Sequence, residues 1–454
     1  AKRITKLNSV IVFQVLIEKQ FKTINNMTNL TNKRLLLLGG SLWKEAIKDF
    51  AEKHNITLIA TGNDTTAGVF EIAHECYSID STDADAMKKF IVEKQIDGVY
   101  MGGSEPVISV ACTYLNELGL PCYCTKAQWE LLQNKSQFKQ LLIENDLPVA
   151  PKYDILSFAE IDSKLNDIKF PVITKPTDGC GSNGFSVCNN AEELKAGYER
   201  ASAASASGSV IVEKFVRNDG VVVFYTFSNG KMYFSGLEDK YPVKYNEQGS
   251  YVAGMHIFES KFKDEFRNRF DEKLERMYSS IGIKEGSVWI EVFHDGDDYY
   301  FNEAGYRYSG SVSIYPVDYF YGINQVASDI YYALTGESVI FNHDSLIKLN
   351  KKKKFYTIYS LHLNPGVIWD VKGIRELEKD SDVVVIPITK GIGTKVCSTG
   401  SIAQVYGFVH FVFDTNEELF EMIKKIHTTI IIDDGQGNNM LARKIDLNLV
   451  KQRL

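Results

Sequence analysis

Between Lys33 and Thr125 short apolar runs alternate with amphipathic ones, and no other feature restricts the fold of this chain as much. KRLLLLGGS reads as a strand ending in glycines, SLWKEAIKDFAEKHN as an amphipathic helix and ITLIATGND as a second strand. AMKKFIVEKQ, DGVYMGG, PVISVACTYLNELG and PCYC continue the alternation as helix, strand, helix and short strand. Strands joined through helices predict a parallel sheet covered by those helices. Gly39-Gly40 and Gly102-Gly103 fall at strand C-terminal ends, where such sheets bind ligands, although tight strand-to-helix turns use glycine for their own sake.

Past Thr125 the texture changes. KAQWELLQNKSQFKQLLIENDLP is helical and sets Lys135 and Lys139 on one face, by default a solvated one. VAPKYDI reads as a strand, EIDSKLNDI as a short helix, and FPVITKP as a β-branched strand that stops abruptly at a lysine and a proline. In the loop that follows, Gly179, Gly181 and Gly184 with Ser182 permit positive φ and inward-turned N–H groups, a geometry suited to negatively charged oxygens. Lys175 adds a compact positive charge beside that cradle, and a nucleoside triphosphate is the ligand it suits. The stretch matches neither GxxxxGK[ST] nor a GxGxxG that opens a helix. Alone, it reads equally well as a glycine-rich hairpin turn.

FSVCNN and AEELKAGYERASAAS then read as strand and helix, and in SVIVEKFV the pair Glu213-Lys214 interrupts an apolar strand. Charges there face either a ligand cleft or an exposed sheet edge, and the edge is the simpler expectation. VVVFYTFSNGKMYFSG is a hairpin turning at Asn229-Gly230, and FKDEFRNRFDEKLERMYSSIG a long amphipathic helix. SVWIEVFHDGDDYYFNEAGYRYSG predicts two antiparallel strands that place Glu291 and Glu303 about opposite each other. Two carboxylates on one face repel unless a cation lies between them, and Mg²⁺ bridging them to phosphate oxygens is the natural choice. Arg307 is built for bidentate contact with phosphate or carboxylate. The alternative is a pair of surface glutamates on a hairpin.

At 454 residues two to four domains are expected. With 51 basic and 58 acidic side chains interspersed, the net charge of −7 draws neither nucleic acid nor an anionic membrane. Seven cysteines without CxxC pairs read as reduced thiols of a cytoplasmic protein, and no apolar run is long enough to span a bilayer. Residues 1–32 read as an extension outside the fold, with Met27 as the expected start.

The ordered set now on the page resembles the ATP-grasp superfamily, in particular its carboxylate–amine ligase and carbamoyl-phosphate-synthetase-like branch. It comprises a helix lysine (Lys135), a strand lysine before a glycine-rich loop (Lys175), a Glu-Lys hinge (Glu213, Lys214), two glutamates (Glu291, Glu303) and an arginine (Arg307). The resemblance implies an N-terminal parallel α/β domain (33–125), a two-lobed α+β ATP-grasp core (126–345) and a small C-terminal antiparallel segment (346–454). It implies that Lys135 and Lys175 contact the α and β phosphates of ATP and that the loop Gly179–Gly184 closes over the β and γ phosphates. Main-chain groups of Lys214, Phe215 and Val216, after Glu213, would read the adenine edge. Glu291 and Glu303 would hold Mg²⁺, or Mn²⁺ in its place, and Arg307 would steady the phosphorylated intermediate.

Two departures stand out. The family's second metal strand often carries an asparagine ligand two residues after the glutamate; here that position is Gly305, which thins one metal site. Asn302 precedes Glu303 and is expected on the opposite face of the strand. The ribose-binding carboxylate is also not evident: Asp219 is the nearby acid, and Val221 to Val223 fill the expected place.

The resemblance implies an ADP-forming carbon–nitrogen ligase acting on a small-molecule carboxylate and an amine, with no partner beyond a second copy of the chain. Activation of bicarbonate is the rival enzymatic reading, and a non-catalytic ATP-binding regulatory protein the rival of another class. His256 and Cys180 are expected to pack rather than react.

Overall fold

The computed structural model describes residues 27–453, apart from 64, 66–67, 178–183, 217–219, 245–250, 297, 343–344, 348, 350–351, 400–401, 443–444 and 446. The loop positions Gly179, Gly181 and Ser182, as well as Cys180 and Asp219, therefore lie outside the described residues.

Strands β1 (Arg34–Leu37), β2 (Thr57–Gly62), β3 (Glu75–Ser78) and β4 (Gly98–Tyr100) form a parallel sheet in the order β3-β2-β1-β4. Helix Lys44–His54 starts after Gly40, whose φ of 104° lets β1 turn directly towards that helix. Leu35, Leu36 and Leu37 are all buried, as a strand covered on both faces requires. One expectation is corrected here. PCYC is not a strand; the fourth strand is β3, and Tyr123 instead packs edge-on against Tyr306 of the core. Residues 28–32 also belong to the fold: Leu30 is buried, and the Thr28 amide donates to the Tyr331 hydroxyl at 2.8 Å.

Two antiparallel sheets of four and eight strands follow, with two further two-stranded ones in the C-terminal segment. The smaller contains β5 (Lys152–Tyr153), β6 (Val172–Pro176), β7 (Ser186–Cys188) and β8 (Val210–Lys214), ordered β5-β8-β6-β7. The larger has eight strands. It runs β13 (Asp298–Gly305), β12 (Gly286–Asp295), β9 (Val221–Ser228), β10 (Lys231–Lys244), β11 (Tyr251–Phe258) and β14 (Phe355–His362), then Val405–Phe413 and Val383–Val385. The C-terminal segment thus extends the same sheet that carries both glutamates. Asn229 (φ 51°) and Gly230 (φ 74°) make the tight β9–β10 turn.

The apolar core divides along the sheet faces. Val221, Val223 and Tyr225 join Phe266, Phe270 and Leu274 of the amphipathic helix Lys263–Ser280. Val222 and Phe224, on the other face, join Tyr308, Tyr331 and the helix Gln325–Thr335. Tyr306, Tyr308, Tyr315 and Tyr319 are all buried. Among the described residues no helix is long and apolar enough to cross a membrane.

Candidate active site

Glu213 lies near the end of β8 in the smaller sheet. Its strand, β8, lies between β5 and β6, so the expectation of an exposed edge is overturned. The side chain is buried, and it accepts the Lys175 ammonium on Oε1 and the Lys139 ammonium on Oε2, the latter at 2.8 Å. Lys175 comes from the neighbouring strand β6, where Lys175 pairs with Ile211, and Lys139 from helix Lys135–Glu144. Desolvation works against the Glu213 carboxylate, but the two lysine charges outweigh it and hold its carboxyl below the usual range. Burial pulls the Lys175 ammonium below its ordinary value despite the glutamate beside it. Lys139 therefore faces the cleft rather than solvent, against the amphipathic-helix default.

The next residue points the other way along the pleat. Lys214 reaches Asp295 at 2.9 Å and the Tyr300 hydroxyl at 3.0 Å, tying the smaller sheet to the β12–β13 hairpin. The Lys214 and Phe215 amides donate to the carbonyls of Pro151 and Pro171 at 2.8 and 3.1 Å. Their N–H groups are thus engaged within the fold.

On the larger sheet Glu291 and Glu303 are direct Cα partners. The register then slips, since Val292 pairs with Phe301, leaving Asn302 as an extra residue in β13. The bulge turns Asn302 onto the carboxylate face, where its Nδ2 donates to Glu291 Oε2 at 2.7 Å. Strict alternation placed it on the other face; an inserted residue breaks that alternation. Glu291 Oε1 accepts from Lys240, a buried lysine on β10. Desolvation opposes the Glu291 charge, and Lys240 with Asn302 more than restores it, leaving the carboxyl below its usual range. Glu303 accepts from Lys135 at 2.9 Å.

Lys135 joins the two centres. It is the first residue of its helix, whose exposed N–H groups at Ser136 and Gln137 are capped by the Asn134 side chain. The loop after the helix is fixed to the hairpin by the Phe301 amide, which donates to the Pro148 carbonyl at 2.8 Å. Partial burial works against the Lys135 ammonium, but Glu303, with Glu291 and Glu213 behind it, holds it above its usual value. Three carboxylates and four lysines from six elements thus face one cleft.

Arg307 lies elsewhere on the same wall. Its guanidinium binds Glu105, at the start of helix Glu105–Glu117 after Gly102-Gly103, and the Tyr308 carbonyl at 2.7 Å, and it lies over the Trp289 ring at 5.4 Å. It faces the C-terminal end of the parallel sheet. There a cavity of about 20 Å³, lined by Tyr100, Cys122, Tyr308 and Asp329 among others, has room for about one water. Of the loop, Gly184 is described and has a φ of 76°. His256 pairs with Glu238 at 2.7 Å, both buried.

Sequence reasoning missed Lys240 and Glu105 and put Asn302 on the wrong face. The run Glu238-Asp239-Lys240 inside a strand was the available signal, because buried charges in a strand need partners.

The donor set fits a hard divalent cation: two paired carboxylates, each now neutralised by a lysine ammonium where a metal would put its charge. Residues 168–313 match the ATP-grasp domain family. The chain is 23% identical over 285 residues to the formate-dependent phosphoribosylglycinamide formyltransferase of Haemophilus ducreyi, spanning 62% of this chain and 70% of that one. Its Aliivibrio fischeri counterpart is 25% identical over 288 residues, 62% and 71% of the two chains. Among solved structures, phosphoribosylglycinamide synthetase from Anaerococcus prevotii superposes with a TM-score of 0.69 at 17% identity, over 88% of this chain and 99% of that one. L-amino acid ligase from Bacillus licheniformis does so with a TM-score of 0.68 at 17% identity, over 89% and 99%. Fold, motif order and the family match thus agree on an ATP-grasp domain at residues 168–313.

Proposed function

We propose that the chain is an ATP-dependent, ADP-forming ligase that activates a carboxylate as an acyl phosphate and joins it to an amine. The observation that carries this reading is the convergence of Lys135, Lys139 and Lys175 with Glu213, Glu291 and Glu303 in one cleft. The curated relatives support the pairing of substrates, since their name couples formate, an acid, with phosphoribosylglycinamide, an amine.

Lys175 and Lys135 would contact the α and β phosphates, and the segment Gly179–Gly184, with Ser182, would close over the β and γ phosphates. Glu213 keeps Lys175 and Lys139 in place before ATP arrives, so their side-chain entropy is lost on folding rather than on binding. With the Lys214 and Phe215 amides spent, their carbonyls and the Val216 peptide are left for the adenine edge. Glu291 and Glu303 would hold Mg²⁺, which supplies charge neutralisation at the phosphate oxygens.

The substrate carboxylate oxygen attacks the γ phosphorus as the bond to the β–γ bridging oxygen breaks, and ADP leaves with that electron pair. Lysine ammonium groups offset the charge that develops on the phosphate oxygens. The amine then attacks the acyl carbon and phosphate departs, with the amine proton lost to solvent. Positioning and electrostatics suffice, so no side chain has to become a nucleophile. Arg307, held by Glu105 beside the parallel sheet, would steady the acyl phosphate from the amine's side of the cleft.

The test is ADP release across a panel of acids and amines. ADP formation that requires both an acid and an amine is the expected result. Phosphate release with bicarbonate alone would replace it with the bicarbonate reading, and tight ATP binding without turnover would mark a regulatory protein.

A further inference from the structure

We propose that Trp289 is a binding residue for the activated acid: its indole Nε1–H donates to an oxygen of the acyl phosphate, in the space between the paired glutamates and Arg307. The proposal rests on the ATP-dependent ligase reading and adds a residue that neither motif nor charge singles out.

The pleat fixes where the indole stands. Trp289 and Glu291 are alternate residues of β12, and their partners Gly305 and Glu303 are alternate residues of β13. The register between these two pairs is regular, so all four residues share one face of the sheet. Ile290 and Ala304, which lie between them, join the core on the opposite face. Arg307, just beyond β13, holds its guanidinium 5.4 Å from the centre of the Trp289 ring. The indole therefore lies between the carboxylates that would take the metal and the arginine that would steady the intermediate. An acyl phosphate held at both ends has to lie against it.

Gly305 makes this placement possible. A β-carbon built there would lie 2.7 Å from the indole Cζ2 and closer still to Nε1, so the N–H edge of the ring takes the room of a side chain at position 305. In a close-packed sheet face any larger residue would push that edge away.

What the edge offers is a donor with nothing to donate to. The Trp289 Nε1–H is buried and has no hydrogen-bond partner among the described residues. Buried donors are seldom left without an acceptor. An indole N–H gives a proton and no lone pair, so it selects an oxygen, and it binds best to one that carries negative charge. The acyl phosphate brings carboxyl and phosphoryl oxygens of that kind to this place.

The experiment runs the first step backwards on the full chain, with Mg²⁺, ADP and acetyl phosphate as the probe. An oxygen of the ADP β phosphate attacks the phosphorus, and acetate leaves with the electron pair of the broken P–O bond. The natural sequence is expected to form ATP, and its tryptophan emission to change when acetyl phosphate is added to the ADP-bound chain. Trp289→Phe keeps an aromatic ring and removes the N–H. It should raise KM for acetyl phosphate about tenfold, leave KM for ADP unchanged and abolish the emission change. Gly305→Ala should raise the same KM and add little to Trp289→Phe, because both act on one contact. An unchanged KM for acetyl phosphate in Trp289→Phe overturns the proposal while the ligase reading stands. An equal rise for ADP and acetyl phosphate makes Trp289 a structural part of the sheet and overturns it as well. Failure of the natural sequence to form ATP or to change its emission also overturns the proposal, and the ligase reading is then decided separately by ADP release with acids and amines.

Discussion

The smaller and the larger antiparallel sheets each turn glutamate towards the cleft, and they neutralise it differently. Glu213 takes two lysines, one from its own sheet and one from helix Lys135–Glu144, so that centre carries a surplus of one positive charge. Glu291 and Glu303 take Lys240 and Lys135 between them, and that centre is balanced until Lys135 moves away. The first centre is then ready for phosphate, the second for a metal. In the one, a carboxylate holds lysines in position; in the other, lysines hold carboxylates in position. The same ion pair does opposite work according to which partner is free to leave.

The largest effect that would break this contrast is at Glu303. Glu303→Gln should lower kcat on the order of 10³-fold while the far-ultraviolet spectrum stays unchanged, because a neutral amide neither positions Lys135 nor binds a cation well. Retention of more than a tenth of the activity would remove Glu303 from the site. Glu213→Gln should act mainly through the fold and the nucleotide. Two partly buried ammonium groups lose their counter-charge, at a cost of about 2 kcal/mol in urea unfolding, and KM for ATP rises about tenfold as Lys175 and Lys139 lose their anchor. An unchanged KM with lowered stability would make Glu213 purely structural.

Asp329 sharpens the comparison as a carboxylate bound by a tyrosine hydroxyl instead of a lysine. Burial lifts its pKa to about 7. The folded chain then keeps this proton where the unfolded chain loses it. Stability from this group is therefore fully present below about pH 4, falls as pH rises towards 7, and is level above that. The slope is at most about 1.4 kcal/mol per pH unit. Asp329→Asn should match the natural sequence near pH 4 and exceed it near pH 7.5, read from urea midpoints. The smallest effect is expected at Lys214. Its partner Asp295 is half exposed, so Lys214→Ala should cost less than about 1 kcal/mol.

The sequence was most legible where a short pattern decides the outcome by itself. The alternation from Lys33 announced a parallel sheet, and the turn after Asp295 announced the pairing that makes Glu291 and Glu303 neighbours. The same reasoning failed at PCYC, where a run of strand-like residues serves to pack Tyr123 against the core, and at Glu213, where an apolar strand with a charge looked like an edge. Sheet order is set by contacts between distant segments, and no local window contains it.

By itself, then, the sequence determined most of the strands and helices and which charges are embedded in apolar runs, because dihedral preference and hydrophobic period act over a few residues. Only the tertiary structure decided which lysine meets which carboxylate, that a bulge aims Asn302 at Glu291, and that Trp289 fills the space at Gly305. The physical reason is that a buried charge or an empty volume is satisfied by whatever lies next to it in space. Lys240 and Glu291 stand 51 positions apart and meet across the intervening strand β9, a neighbourhood that exists only once the sheet has formed.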